Sequence, residues 1–162
     1  MAKAAITEAT ADIGTNGAAV VSALNIAGND ATVSFNDTTA ISAASADAIA
    51  DATSGIVTAE VTAGTAAALN KALVNANGTL VTGDNLTLTI SKGTAAAADL
   101  IALDGKTLVN VNANAVTTIT GSAADVAIVL AATTIDTATD VAVTVSDTTV
   151  SVAYANTIAA AT

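Results

Sequence analysis

Carboxylates, hydroxyls, side-chain amides and four lysines are all the chemistry this chain can offer, because its 162 residues contain no histidine, cysteine or arginine. The lack of imidazole and thiolate excludes Ser-His-Asp and Cys-His nucleophilic catalysis, and with them nitrogen- or sulfur-ligated zinc. The lack of arginine removes the guanidinium clamp on a transferring phosphoryl group. A carboxylate pair could act on a glycosidic bond, but the aspartates recur at expected turns, where they cap and form Asx-turns. Ser122 has no base near it in sequence and is expected to cap a helix. The chain is therefore read as non-enzymatic, with no organic cofactor.

Corner carboxylates are the best metal-ligand candidates. Asp136 and Asp140 flank one turn, and Asn29 with Asp30 occupies the matching corner of an earlier segment, opposite Asp37 and Asp147. Hard oxygen donors suit Ca²⁺, so Asp30, Asp37, Asp136, Asp140 and Asp147 are the expected ligands of a loosely held calcium ion. Neither an EF-hand loop nor the glycine-rich nonapeptide of calcium-binding β-rolls accompanies them.

A second candidate is a face of small polar groups. Thr32 with Ser34, Thr58 with Glu60, Thr87 with Thr89, Asn110 with Asn112, and Thr144 with Ser146 are expected to point outward in two ranks across a parallel sheet. Flat Thr-x-Thr ranks suit an ice or mineral surface, and the same residues also stabilise exposed strands through Thr and Asn ladders. Glu60 interrupts one rank, and Asn replaces Thr in another.

The elements that would position these groups follow from internal repetition. Gly-Thr/Ser-Ala-Ala begins at Gly64, Gly93 and Gly121, and each copy opens a helix-like stretch: TAAALNKALVNA, TAAAADLIALD and SAADVAIVLAA. Thr65, Thr94 and Ser122 are expected N-caps, with Asp125 completing a capping-box-like pair. Gly78 and Gly105 are expected left-handed C-caps. A glycine and a hydroxyl with no basic cluster beside them are a capping signal, not a phosphate loop.

Alternating segments follow the helices. Leu86, Leu88 and Ile90 oppose Thr87, Thr89 and Ser91; Val141, Val143 and Val145 oppose Ala142, Thr144 and Ser146; Ala31, Val33 and Phe35 oppose Thr32, Ser34 and Asn36. Period two with β-branched residues predicts strands. The unit is about 28 residues of helix and strand, and Ala66, Leu69 and Leu73 would form one apolar helix face. At longer range, VSFNDTT (33–39) matches VTVSDTT (143–149), and ISAASADAIADAT (41–53) matches VSVAYANTIAAAT (150–162). The earlier copy continues into SGIVTAEVT, so the chain is expected to be a stretch of a longer array.

These units predict an α/β fold: a right-handed solenoid with a parallel sheet on one side and helices on the other. It would be one domain over 1–162, with coils near 1–42, 43–63, 64–92, 93–120, 121–152 and an incomplete 153–162. A two-layer α+β sandwich, with Asp-Thr-Thr turns closing hairpins, is the alternative. Small, regular cores suit stacked units, and 52% apolar residues with a single Phe and a single Tyr supply such a core.

A net charge of −10 repels nucleic acid and anionic lipid. The N-terminus MAKAAITEATADIG has no continuous apolar stretch of the signal-peptide kind, and VAIVLAA (126–132) is too short to span a bilayer. The expected partners are therefore neighbouring repeats or the ends of other copies, with no nucleic acid and no membrane insertion.

Over DTTAISAASADAIADATSGIVTAEVT, GTAAALNKAL and AVTTITGSAADVAIVL, the chain resembles the Ala/Thr/Val/Asp-rich repeats of very large cyanobacterial cell-surface and secreted proteins. The resemblance spans about residue 28 to the end. It implies an extracellular structural, adhesive or motility-related role, and it carries no catalytic residues.

Overall fold

A computed structural model describes residues 30–35, 40–74 and 83–162, together with the backbone of Ala5–Glu8. In chain order the elements are β1 (Ala5–Glu8), β2 (Thr32–Phe35), α1 (Ala43–Asp51), β3 (Val57–Glu60), α2 (Ala66–Leu73), β4 (Asn85–Thr87) and β5 (Gly93–Ala96). They continue with α3 (Ala97–Asp104), β6 (Val111–Ala113), β7 (Val116–Gly121), α4 (Ala123–Ala131), β8 (Ile135–Thr137), β9 (Ala142–Val145) and α5 (Val152–Ala161). The fold is mixed α/β with small open sheets.

Every pairing between these strands is parallel. One sheet has the order β1-β2-β3-β4, a second β5-β7-β9 and a third β6-β8. Val33 pairs with Val57, Thr58 with Asn85, and Thr118 with Ala142. Isolated bridges from Asp84 to Thr107 and from Thr89 to Asn112 carry the first sheet on toward β6. Each helix also packs on the next in sequence, α1 on α2 through to α4 on α5. Helices thus pack on helices and strands pair with strands.

Two expectations about the unit change. From β4 onward two short strands, not one, precede each helix: β4 and β5 before α3, β6 and β7 before α4, and β8 and β9 before α5. Register partners lie 23–27 residues apart, fewer than the motif spacing suggests. The reason is that the three Gly-Thr/Ser-Ala-Ala copies are not equivalent. Thr65 and Ser122 cap α2 and α4 by accepting from the amides of Ala68 and Asp125. Thr94 lies inside β5, and α3 begins after Ala96 with no side-chain cap. Gly105, at the end of α3, has a right-handed φ of −67°, so no left-handed cap forms there; Gly78 lies outside the described residues.

Alternation places the core as expected. Leu86, Leu88 and Ile90 are buried while Thr87 is exposed, and α2 turns Ala66, Leu69 and Leu73 inward. Each such Leu or Ile contributes roughly 1.5–3 kcal/mol on burial. With Phe35 the only aromatic in the core, small side chains let neighbouring backbones approach closely. Gly55 is the clearest case: a Cβ there would lie 2.2 Å from the carbonyl oxygen of Ala31. At the entrance to α4, Gly121 takes a φ of +152°, a conformation L side chains rarely adopt, with Ala97 close by.

Candidate functional site

Among the described residues the expected calcium ligands do not converge. Asp30 is exposed just before β2, and Asp37 lies outside the described residues. Asp136 sits on β8 and accepts a hydrogen bond from Asn110 Nδ2 at 3.3 Å. Asp140 is exposed in the turn before β9. Asp147 accepts from the backbone N–H of Ala123, the first residue of α4, so its charge meets the positive end of that helix. Among the described residues no three acidic side chains gather as a metal site would need.

The polar ranks are partly assembled. Ser34, Thr58 and Asn85 stand side by side on β2, β3 and β4, with Asn85 Nδ2 donating to Thr58 Oγ1 at 3.5 Å. Thr32 lies two residues along from Ser34 on the same strand. Glu60 stands beside Thr87, and Asn110 lies in the stretch between the bridges from Asp84 to Thr107 and from Thr89 to Asn112. Thr89, Asn112 and Asp136 form the next rank. Both of these ranks therefore contain a carboxylate. Thr144 is elsewhere, on β9 in the second sheet beside Thr120, and Ser146 follows it. The two-strand unit is the cause, since the alternating segments 85–91 and 142–146 belong to different strands of their units.

The amides in these ranks are tied to their neighbours. Asn110 also donates to the Thr133 carbonyl at 3.2 Å, and Asn112 accepts from Asn114 Nδ2 at 3.0 Å. In the second sheet Thr117 donates to the Gly93 carbonyl at 3.2 Å. These groups bond protein atoms of the same or the adjacent unit.

The most specific polar chemistry is buried and was not singled out from the sequence. Thr53 donates to the Ala31 carbonyl at 2.6 Å and accepts from the Gly55 amide at 3.0 Å. Asp84, 1% exposed, accepts from the Val57 amide at 2.8 Å. Thr107 donates to the Leu86 carbonyl at 2.7 Å and accepts from the amides of Leu86 and Val109 at 3.0 and 3.1 Å. Each side chain ties its own corner to backbone more than twenty residues away, in the adjacent unit. Thr53 and Thr107 both stand four residues before a strand, and Asp84 directly precedes one. That spacing was the available signal.

Asp84 is held at an electrostatic cost. Its Oδ2 has no hydrogen-bond partner. Burial raises its pKa above the ordinary carboxylate value, opposed by the Val57 hydrogen bond. Asp47 on α1 is also raised, by burial and then by the neighbouring Asp51, against the lowering effect of Lys106.

One open apolar groove of about 520 Å³ lies between β9 and α5. Among the described residues no helix is long and apolar enough to cross a membrane. No protein-family model, curated protein or solved structure matches the chain.

Proposed function

We propose that the chain is a structural repeat module: a right-handed stack of strand–strand–helix coils serving as a spacer or display scaffold in a large extracellular surface protein. One observation carries this reading. The buried polar side chains of Thr53, Asp84 and Thr107 bond the backbone of the adjacent unit, so among the described residues the buried polar side chains serve to hold one unit to the next. A catalytic site would concentrate such groups around a substrate; here they are spread along the seams. The parallel pairing and the helix-on-helix order are what a stack of coils requires. The carboxylates Glu60 and Asp136 in the polar ranks favour a solvated scaffold face over a regular ice- or mineral-binding array. Net acidity keeps neighbouring modules soluble and apart.

The test is the length of the particle. Thr94 pairs with Thr118, so a second copy of residues 95–118 inserted after Thr118 adds one coil in register. By small-angle scattering, a stack keeps its cross-section and lengthens by about 4.8 Å, the spacing of neighbouring strands. Unfolding, or growth in width at constant length, refutes the stacked-coil reading.

A further inference from the structure

Resting on the stacked-coil reading, we infer that the groove between β9 and α5 is a docking surface for one further unit of this repeat class. Its chemistry is that of residues 54–73: a near-neutral strand–helix segment rich in Ala, Val and Thr. The unit comes from outside these 162 residues.

The chain carries two copies of one strand–helix segment. Residues 33–39 and 41–53 match 143–149 and 150–162 in sequence. They match locally in structure too: a four-residue strand, β2 of the first sheet or β9 of the second, is followed by a serine-capped helix. Ser42 accepts from the Ser45 amide and Ser151 from the Tyr154 amide. Their surroundings differ. On the later copy the groove is lined by Val143, Val145 and Val150 from the strand side and by Ala155, Ile158 and Ala159 from α5. Their counterparts in the earlier copy are Val33, Phe35 and Ile41 with Ala46, Ile49 and Ala50, and all six are buried. By contrast α5 buries none of its residues, and Val150 is 39% exposed.

What covers the earlier copy is visible. β3 pairs in parallel with β2, Val33 opposite Val57 and Ser34 opposite Thr58, and Ile41 bridges to Val61. α2 packs on α1. Thr53 closes the corner by reaching the Ala31 carbonyl, while its counterpart Thr162, which also lines the groove, donates to Ile158 of its own helix. The same chain therefore specifies what fits the face. A strand like Val57–Glu60 would lie in parallel beside Val143 and Thr144, and a helix like Ala66–Leu73 would lie on Ala155, Ile158 and Ala159. In a second copy residues 57–73 are already engaged with their own neighbours, so an intact second copy does not supply the segment.

The experiment extends the chain after Thr162 with a copy of residues 54–74, and compares it with a scrambled extension and with the parent by amide exchange and thermal unfolding. The expected result is at least roughly tenfold slower exchange at the β9 amides that β7 leaves unpaired, in the native-order extension alone. The Tm should also rise by about 5 °C or more. Equal exchange in native-order and scrambled extensions overturns the inference. So does a concentration-dependent dimer of the parent that protects β9 by itself, because the occupant is then a second copy. The β7 amides provide the internal control: if they exchange freely in the parent, the stacked-coil reading fails with the inference. If they are protected while the extension is not, only the inference fails.

Discussion

Replacing Thr107 by valine keeps the side chain's shape and removes only its hydroxyl, which makes it the sharpest probe of how the units are joined. That hydroxyl donates to the Leu86 carbonyl at 2.7 Å and accepts from the amides of Leu86 and Val109. Thr107 is 9% exposed, so water cannot readily replace it. Thr107→Val leaves two amides and the carbonyls of Leu86 and Asp84 without this partner. A lost hydrogen bond costs roughly 0.5–1.5 kcal/mol net, so the three shortest bonds together come to about 2–4 kcal/mol. Thr107→Ser keeps the hydroxyl and loses one methyl group, about 0.8 kcal/mol. At about 2–4 °C per kcal/mol for a chain of this length, valine lowers the Tm by roughly 5–15 °C and serine by about 2–3 °C. Thermal unfolding by circular dichroism measures both. A valine variant melting within about 2 °C of the serine variant would falsify the claim that this hydroxyl holds β4 to the unit that follows.

The buried carboxylate gives a pH-dependent counterpart. Because the folded pKa of Asp84 is raised, its contribution to stability is full below the unfolded value of 3.8 and is lost as pH rises through the folded pKa. Asp84→Asn keeps an acceptor for the Val57 amide without the buried charge. It should melt above the parent at neutral pH, with the gap closing toward pH 3.8; a gap that stays constant with pH contradicts the assignment. Asp47 is raised too but is present in both proteins, so it cancels from the comparison. Gly55→Ala drives a methyl group into the Ala31 backbone and should cost about 1–3 kcal/mol. Urea denaturation reads that cost, and an unchanged midpoint would mean the two backbones are not in contact. Because the described corner carboxylates do not gather, about 5 mM calcium, the scale of extracellular modules, should leave the Tm within about 1 °C of the chelated value. A rise of several degrees would make them ligands after all.

The sequence was most legible where side-chain period and backbone geometry coincide. The alternation of Leu86, Leu88 and Ile90 with Thr87 and Thr89 announced a strand with one buried side, and the structure has it. Thr65 and Ser122 announced helix starts, since a hydroxyl before an Ala run has first-turn amides to satisfy. The same motif misled at Thr94, because a glycine, a hydroxyl and two alanines also suit a short strand, and β5 pairs with β7 there. Local sequence cannot weigh a strand partner more than twenty residues away against a helix cap.

Absent chemistry, small apolar content, acidity and the periods of the pattern were therefore set by the sequence alone, being properties of residue types and their spacing. Tertiary structure decided which repeats are equivalent, how many strands precede each helix, and which polar residues matter. Thr53, Asp84 and Thr107 look like ordinary turn residues in the chain. Each becomes a tie between units only because parallel pairing brings the backbone of an adjacent unit within about 3 Å, where a buried donor or acceptor must find its partner. The exposed face of β9 and α5 is a result of the same kind. Its residues resemble those of an earlier copy, and packing alone made one set core and left the other set open.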